Sequence, residues 1–387
     1  MIAGAGLRIL APQVGIRFPS ALCRGIIPQT INLHPSIEEE PVLSIKPDEL
    51  RSLSERIFAA AGTPREVADY MAQSLVTANL MGHDSHGVIR IPRYIEQVRD
   101  GSLKPAATPS IVKETETTAL VDGNFTFGQV AARFATDVAV AKAKRYHTAA
   151  VGLVKQNHTG RIGEFAEMMG RAGLFGMFIT AGSRQWQGVA PHGGRKRVFG
   201  TNPFAFAVPA GKRPMMVIDW ATSVLAEGKL QVARAKKAAL PPGVILDGEG
   251  KPSTDVEDFY TNGGVMLPFA AYKGYSLALL GEILVAPFLA SDVYGPGPRA
   301  YGSFVVAVNV EAFRPVAEFT PQLDALLDEI KAVPPAQGFD EVLIPGEPEQ
   351  RTLAQRRQGG IPMPEETWQK LLETAKELGI DPAPQGV

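Results

Sequence analysis

Ala149-Ala150-Val151-Gly152-Leu153-Val154-Lys155-Gln156-Asn157-His158-Thr159-Gly160 is the stretch on which the fold reading turns. Its apolar run, Ala149 to Val154, has the length and composition of a buried strand, and Gly160 allows a sharp turn just past its polar end. Helical patterns flank it, over Val130 to Lys144 and Ile162 to Ala172. Further short apolar runs read as strands: Thr118 to Val121, Phe175 to Thr180, Phe204 to Val208, Met215 to Ile218 and Phe304 to Val310. The middle of the chain is therefore mixed α/β.

Outward from this core the texture becomes helical. Pro47, followed by Leu50, Leu53 and Ile57, opens one amphipathic helix, and Thr63-Pro64 opens a second with Val67, Met71 and Leu75 on one face. A third is expected after Gly87, carrying Ile91, Tyr94, Ile95 and Val98 and ending at Gly101. Leu240 to Gly250 is rich in Pro, Gly and Asp and reads as surface turns. Gly274 to Leu289 has the composition of an apolar helix. From Pro321 the chain returns to helix, with Leu323, Leu326, Leu327 and Ile330 as one stripe. There is no internal repeat and no low-complexity tract.

At 387 residues the chain is long enough for two or three domains. Its 45% hydrophobic and 20% charged residues are ordinary for a globular enzyme. Lys+Arg of 39 against Asp+Glu of 40 gives a net charge of -1, so no overall field draws it to nucleic acid or an anionic membrane. No apolar run approaches the roughly 20 residues of a spanning helix. A single cysteine, Cys23, rules out an internal disulfide and fits a reducing, cytoplasmic setting. Met1 to Ile37 lacks acidic residues and carries Arg8, Arg17 and Arg24, which suits either a transit peptide or an unstructured extension. Gly4-Ala5-Gly6 is no dinucleotide fingerprint, and no G-x-G-x-x-G follows a strand and opens a helix anywhere.

Several residue types point to chemistry. If the third helix starts near His86, then His86 and Arg90 project from one face. An arginine can hold a carboxylate through two parallel hydrogen bonds while the imidazole reaches the neighbouring oxygen, although a helix-start histidine beside a surface arginine is the plain alternative. His83 is expected to support the loop. A histidine at a strand end, as His158 is, can exchange protons at neutral pH. Asp219 could orient His158, bind a cofactor, or cap a helix started by Asp219-Trp220-Ala221-Thr222-Ser223. Lys273 can donate to a ribose or phosphate oxygen. Thr201-Asn202 and His192-Gly193-Gly194 are turn-forming and could present amides to a ligand.

The ordered series His83-Asp84-Ser85-His86-Gly87-Val88-Ile89-Arg90, Asn157-His158-Thr159-Gly160, Pro191-His192-Gly193-Gly194 with Gly200-Thr201-Asn202-Pro203, Ile218 to Ser223 and Tyr272-Lys273-Gly274-Tyr275 resembles the malate/L-lactate dehydrogenase family of the non-Rossmann type. That group includes ureidoglycolate and sulfolactate dehydrogenases and cyclic-imine carboxylate reductases. The resemblance runs from about Val42 to near the C-terminus. It implies an α+β fold: a non-Rossmann cofactor domain with a mixed, largely antiparallel sheet over 116-311, and a helical domain built from 42-115 with 312-387. Residues 1-41 would be an extension. It further implies NAD or NADP as cofactor, His158 as proton acceptor, and a homodimer with the active site near the subunit contact. Cofactor contacts would come from Asp219, Trp220, Ala221 and Lys273, from the short motif Gly346-Glu347-Pro348, and from Thr201 and Asn202. The chain departs from the family pattern at Trp220, where methionine is usual, at Tyr272, where histidine is common, and at the bulky Ser183 to Gln187.

The leading expectation is hydride transfer between nicotinamide and a small 2-hydroxy acid/2-keto acid, without a metal. His158 manages the proton, Arg90 holds the carboxylate and His86 stabilises the carbonyl oxygen. The alternatives are a reductase of a cyclic imino acid, a metal-dependent hydrolase drawing on His83, His86, His158, His192 and Asp219, and a binding protein that keeps the fold without catalysis. Substrate and nicotinamide preference stay open.

Overall fold

The structure, a computed structural model, describes residues 42–182, 187–290 and 301–381. The N-terminal extension, and with it the transit-peptide expectation, lies outside the described residues, as do residues 183–186 of the bulky segment.

The described chain opens with strand β1 (Val42–Ile45) and helices α1 (Pro47–Ala60) and α2 (Arg65–Leu80). Pro47 stands in the first turn of α1, where its missing N–H costs nothing, and Leu50, Leu53, Ile57 and Phe58 form the buried face. Beyond α2 the helix expected after Gly87 is present, opening as a 3₁₀ turn. Two 3₁₀ turns, Asp84–His86 and Val88–Arg90, precede α3 (Ile91–Arg99). Gly87 between them is extended, with φ -88 and ψ -150. It must be glycine there, because a Cβ would lie 2.1 Å from Asn79 Oδ1. His86 and Arg90 therefore do not share a helix face, contrary to the spacing argument. The end of α3 is as expected, with Gly101 at φ +77.

The central region runs β2 (Ser110–Glu114), β3 (Thr118–Asp122), α4 (Gly128–Tyr146), β4 (Thr148–Gln156), α5 (Gly163–Arg171), β5 (Leu174–Ala181), β6 (Phe204–Ala207), β7 (Val217–Trp220), α6 (Glu227–Ala235), β8 (Ile245–Leu246), β9 (Pro252–Ser253), α7 (Val256–Tyr260), β10 (Val265–Met266), α8 (Tyr272–Val285) and β11 (Tyr301–Asn309). Seven strands form one sheet in the order β2-β3-β4-β11-β5-β6-β7. Only β3 and β4 run parallel, so the sheet is mixed and largely antiparallel, as expected. Ala131, Ala132, Ala135, Ala139 and Ala143 give α4 a flat buried face against β4 and β11, and Phe165 and Met169 of α5 fill the space beside Phe178. The strand expected at Met215 begins instead at Val217.

The stretch expected as surface turns contains β8, in a small sheet ordered β10-β8-β9. Val244 and Ile245 are buried there with Phe199, Leu230, Phe259 and Met266, so two apolar residues among the prolines and glycines belong to a core. The C-terminal part holds α9 (Val316–Lys331), α10 (Glu347–Gly359), β12 (Ile361–Pro364) and α11 (Glu365–Glu377). Helix α9 starts before Pro321 rather than at it, and the Thr320 hydroxyl donates to the Val316 carbonyl in its first turns. Of its expected stripe only Leu327 is buried.

Strand β12 pairs antiparallel with β1, which brings the two chain ends together. Ile361, Met363, Leu371 and Ala375 thereby join Leu50, Phe58, Met71, Leu75 and Tyr94 in one core, separate from that of the large sheet. Phe127, at the start of α4, packs into this terminal core edge-on against Phe58. No helix among the described residues is long and apolar enough to cross a membrane.

Candidate active site

The site begins where β4 leaves the sheet. Lys155 takes a positive φ of 52, and the backbone turns out of the strand into Asn157-His158. Asn157 is buried, and its Nδ2 donates to the carbonyls of Phe125 at 2.8 Å and Thr126 at 3.0 Å. A Cβ on Gly128 would stand 2.2 Å from the His158 carbonyl oxygen, so only glycine lets the start of α4 approach this turn. The His158 backbone is thus gripped from two sides.

The His158 ring is half-buried. Its Nδ1 lies 2.8 Å from the Tyr94 hydroxyl, which receives the side-chain Nε2 of Gln129 at 3.0 Å. The His86 ring stacks nearly parallel to it, centroids 5.7 Å apart, and Tyr301 stands edge-on at 6.2 Å. Arg90 Nε donates to the Ser85 carbonyl at 2.6 Å, and the Ser85 hydroxyl is 3.0 Å from His86 Nδ1. The structure therefore brings His158, His86 and Arg90 together even though the helix expected to align two of them is absent.

Burial above all, then Arg90 and His86, holds the His158 imidazole well below the ordinary histidine range. Burial, Arg90 and His83 push His86 down to about 3, and burial with Arg161 pushes His83 to about 4. All three rings are neutral at pH 7.

The 83–90 segment is anchored by one side chain just before it and one remote in sequence. Asn79 Oδ1 accepts from the Val88 N–H, and Asn79 Nδ2 donates to Asp84 Oδ1. Arg356 of α10 grips both Asp84 oxygens, at 2.7 and 3.0 Å. Asp84 thereby ties the loop to α10. His83 borders a cleft lined by Arg161, Asp219, Gly346, Glu349 and Gln350, with its Nε2 3.7 Å from Glu349 of the same helix.

Asp219, in β7, accepts the N–H of Gly163 at 2.8 Å, so it caps α5 and not a helix of its own. It makes no hydrogen bond to His158; Tyr94 occupies the orienting position. Burial raises its carboxyl to about 6 against the pull of Arg161, a buried guanidinium held 2.8 Å from Glu167.

The other candidates are more scattered. Thr222 donates through both N–H and hydroxyl to the Thr201 carbonyl, which ties the Asp219–Thr222 segment to Thr201-Asn202, with Ala221 half-buried between them. Asn202 is buried, and its Nδ2 donates to the Ala278 carbonyl and to Glu282 of α8. Trp220 is exposed and leans on Phe206, and Lys273 is exposed at the start of α8. Gly346, at φ +96, presses its backbone against Met215 and Val217. Pro348 stands in the first turn of α10. Glu347 binds Lys331 at 2.7 Å and the Ile344 N–H at 3.0 Å; the next carboxylate along, Glu349, is the one that lines the cleft.

Among the described residues no three His, Cys, Asp or Glu side chains stand close enough to hold a metal ion. His192 packs near Tyr272 instead, so the ligand set of the hydrolase alternative is not assembled.

Sequence reading missed Tyr94, Gln129, Arg161, Glu349 and Arg356. Tyr94 counted only as an apolar helix position, and the others carry no local pattern.

The sequence profile described as malate/L-lactate dehydrogenase matches residues 45–372. An L-sulfolactate dehydrogenase of Methanothermobacter thermautotrophicus is 34% identical over 348 residues, covering 88% of this chain and 98% of that protein. A solved putative malate/lactate dehydrogenase from E. coli superposes with a TM-score of 0.81 at 32% identity, over 88% of this chain and 96% of that one. A delta1-piperideine-2-carboxylate reductase from Pseudomonas syringae pvar. tomato gives 0.71 at 26%, over 86% and 100%.

Proposed function

Because the chain belongs to the malate/L-lactate dehydrogenase family, we propose that this hydroxy acid dehydrogenase moves a hydride between NAD or NADP and a small 2-hydroxy acid/2-keto acid, with His158 as proton acceptor and donor. The observation that carries the reading is the cluster of His158, at the end of β4, with His86 and Arg90 of the 83–90 segment: two neutral imidazoles stacked 5.7 Å apart beside one guanidinium.

In the oxidation direction the 2-hydroxy acid gives its carboxylate to Arg90, whose guanidinium suits bidentate binding. His86 reaches the hydroxyl oxygen. His158 takes the hydroxyl proton at Nε2 as the carbon gives up its hydride, and returns it when the reaction runs backward. A bound nicotinamide supplies the hydride acceptor. For such a cofactor Asp219, Glu349 and His83, which line a narrow cleft, would offer acceptors to ribose hydroxyls, and Arg161 would offset their negative charge. Lys273 and the segment that ties Thr201 to Thr222 would add further contacts in this reading.

The same reading makes 42–115 with 312–387 one domain and 116–311 the cofactor domain, supported by the core that the chain ends share. It also takes the protein as a cytoplasmic homodimer. For the dimer, the support is the exposed apolar face of α8, with Leu279, Leu280 and Ile283 each more than a third open.

The test is a panel of lactate, malate, sulfolactate, other 2-hydroxy acids and cyclic imino acids, assayed with both nicotinamides by absorbance of the reduced ring. Turnover of a 2-hydroxy acid is expected. Turnover confined to cyclic imines would move the chain to the imine reductases, and no turnover with any of them would sink the reading.

A further inference from the structure

The geometry points to Tyr94 and Gln129 as a positioning relay that fixes which nitrogen of His158 carries its proton; this rests on His158 being the proton acceptor proposed above. A histidine that takes a proton at Nε2 must already hold one at Nδ1, and that Nδ1–H needs an acceptor. Two groups face Nδ1: the Gly160 N–H at 3.4 Å and the Tyr94 hydroxyl at 2.8 Å. The first can only donate. Among the described residues Tyr94 is thus the one acceptor within reach of an Nδ1–H.

Whether Tyr94 accepts depends on Gln129. With Gln129 Nε2 donating to the Tyr94 oxygen, the phenolic hydrogen is directed at Nδ1, which leaves Nε2 protonated and unable to act as a base. In that orientation Gln129 Oε1 is buried without any hydrogen-bond partner, an orphan that costs about 1–3 kcal/mol. Turning the amide end for end exchanges two nearly isosteric atoms. Oε1 then accepts the phenolic hydrogen, and the Tyr94 oxygen accepts Nδ1–H.

The second state serves both directions of the reaction. His158 Nε2 takes the hydroxyl proton while the hydride goes to the nicotinamide, and the resulting imidazolium keeps both its N–H groups engaged, one on Tyr94 and one on the product oxygen. No proton travels along the relay. Tyr94 stays neutral throughout, since burial pushes its hydroxyl up to about 12. The turned amide gives Gln129 Oε1 the donor it lacks, while the long Gly160 N–H contact to Nδ1 is given up.

The readout is the tautomer of His158 in the full-length protein labelled with ¹⁵N-histidine, assigned by the signal lost in His158→Gln. Wild type is expected to show Nδ1–H, and Tyr94→Phe, which leaves only the Gly160 donor at Nδ1, to show Nε2–H. Tyr94→Phe should also lower kcat roughly 10- to 100-fold while KM changes by no more than about threefold. Gln129→Glu, a stronger acceptor for the phenolic hydrogen, should move the acidic limb of kcat/KM to higher pH. The charged and titratable groups facing His158, namely Arg90, His86, Tyr94 and Tyr301, are retained in that variant. A wild-type Nε2–H tautomer overturns the relay, as does Tyr94→Phe with an unchanged tautomer and normal kcat. If Tyr94→Phe does not fold, the wild-type tautomer and the Gln129→Glu profile decide. A protein that oxidises no hydroxy acid yet shows the tautomer change keeps the relay and loses the assigned function.

Discussion

The two halves of the candidate site are held in different ways. On the sheet side, the turn after β4 is fixed by backbone. Asn157 is buried and ties two carbonyls, Gly128 presses on the His158 peptide, and the ring is pinned by Tyr94. On the loop side, residues 83–90 are two short 3₁₀ turns whose polar side chains His83, Asp84, Ser85, His86 and Arg90 are half-buried and whose anchors are Asn79 and Arg356. A group that moves a proton tolerates little misplacement, whereas a group that holds a carboxylate gains from some adjustment to the substrate. The rigid half therefore suits the chemistry and the adjustable half suits recognition.

The sharpest way to break this division is at His158. His158→Ala is expected to lower kcat by roughly 10²- to 10⁴-fold, the usual range for removing a general acid/base, with NADH affinity unchanged by fluorescence titration. Near-normal turnover would mean that the rigid half does not carry the chemistry. The next effect belongs to the loop. Arg90→Gln is expected to raise KM for the acid about 10- to 100-fold, the loss of charge-assisted hydrogen bonds, while kcat falls less. It should also move the acidic limb of the rate profile to higher pH. Arg90 helps depress the His158 imidazole, so its removal lets that group bind a proton more readily as pH falls. A change in kcat alone, with KM constant, would erase the contrast between the halves.

What the sequence made legible follows the same contrast. The run Ala149 to Val154 and its polar end sufficed to place His158, because a strand edge is a local pattern. Pro47 and Gly101 marked helix ends for equally local reasons. The third helix was expected after Gly87 and is there, but the turns ahead of it carry no local pattern: Gly87 is extended to make room for Asn79, and Asp84 is gripped by Arg356, 272 residues away. Tyr94 has the right spacing for a core face and does sit in one, which hid its hydroxyl. The Pro/Gly-rich stretch around Ile245 concealed a buried pair too short to show a period.

Asp219 lies on the seam, bonded to the sheet half through Gly163 and facing His83 of the loop half across the cleft. Here the smallest effect is expected, and its two readouts have opposite signs. The folded carboxyl binds its proton up to about pH 6, above its unfolded value of about 3.9, so folding is favoured below that window and loses this contribution as pH rises through it. Asp219→Asn should accordingly raise stability relative to wild type at neutral pH and give no gain near pH 4, measured by thermal melts across pH. The variant-minus-wild-type difference is the quantity to read, since neutral His83 and His86 cost stability in the opposite sense as pH falls below about 6.5. Cofactor binding should move the other way. An ionised Asp219 offers a charge-assisted acceptor worth about 1 kcal/mol more than an amide oxygen, so NAD(H) affinity should drop about fivefold in the variant at neutral pH. Wild type should weaken by a similar factor on acidification through about pH 6, while the variant stays flat. A variant that binds NAD(H) and melts as wild type does at every pH would remove Asp219 from the seam.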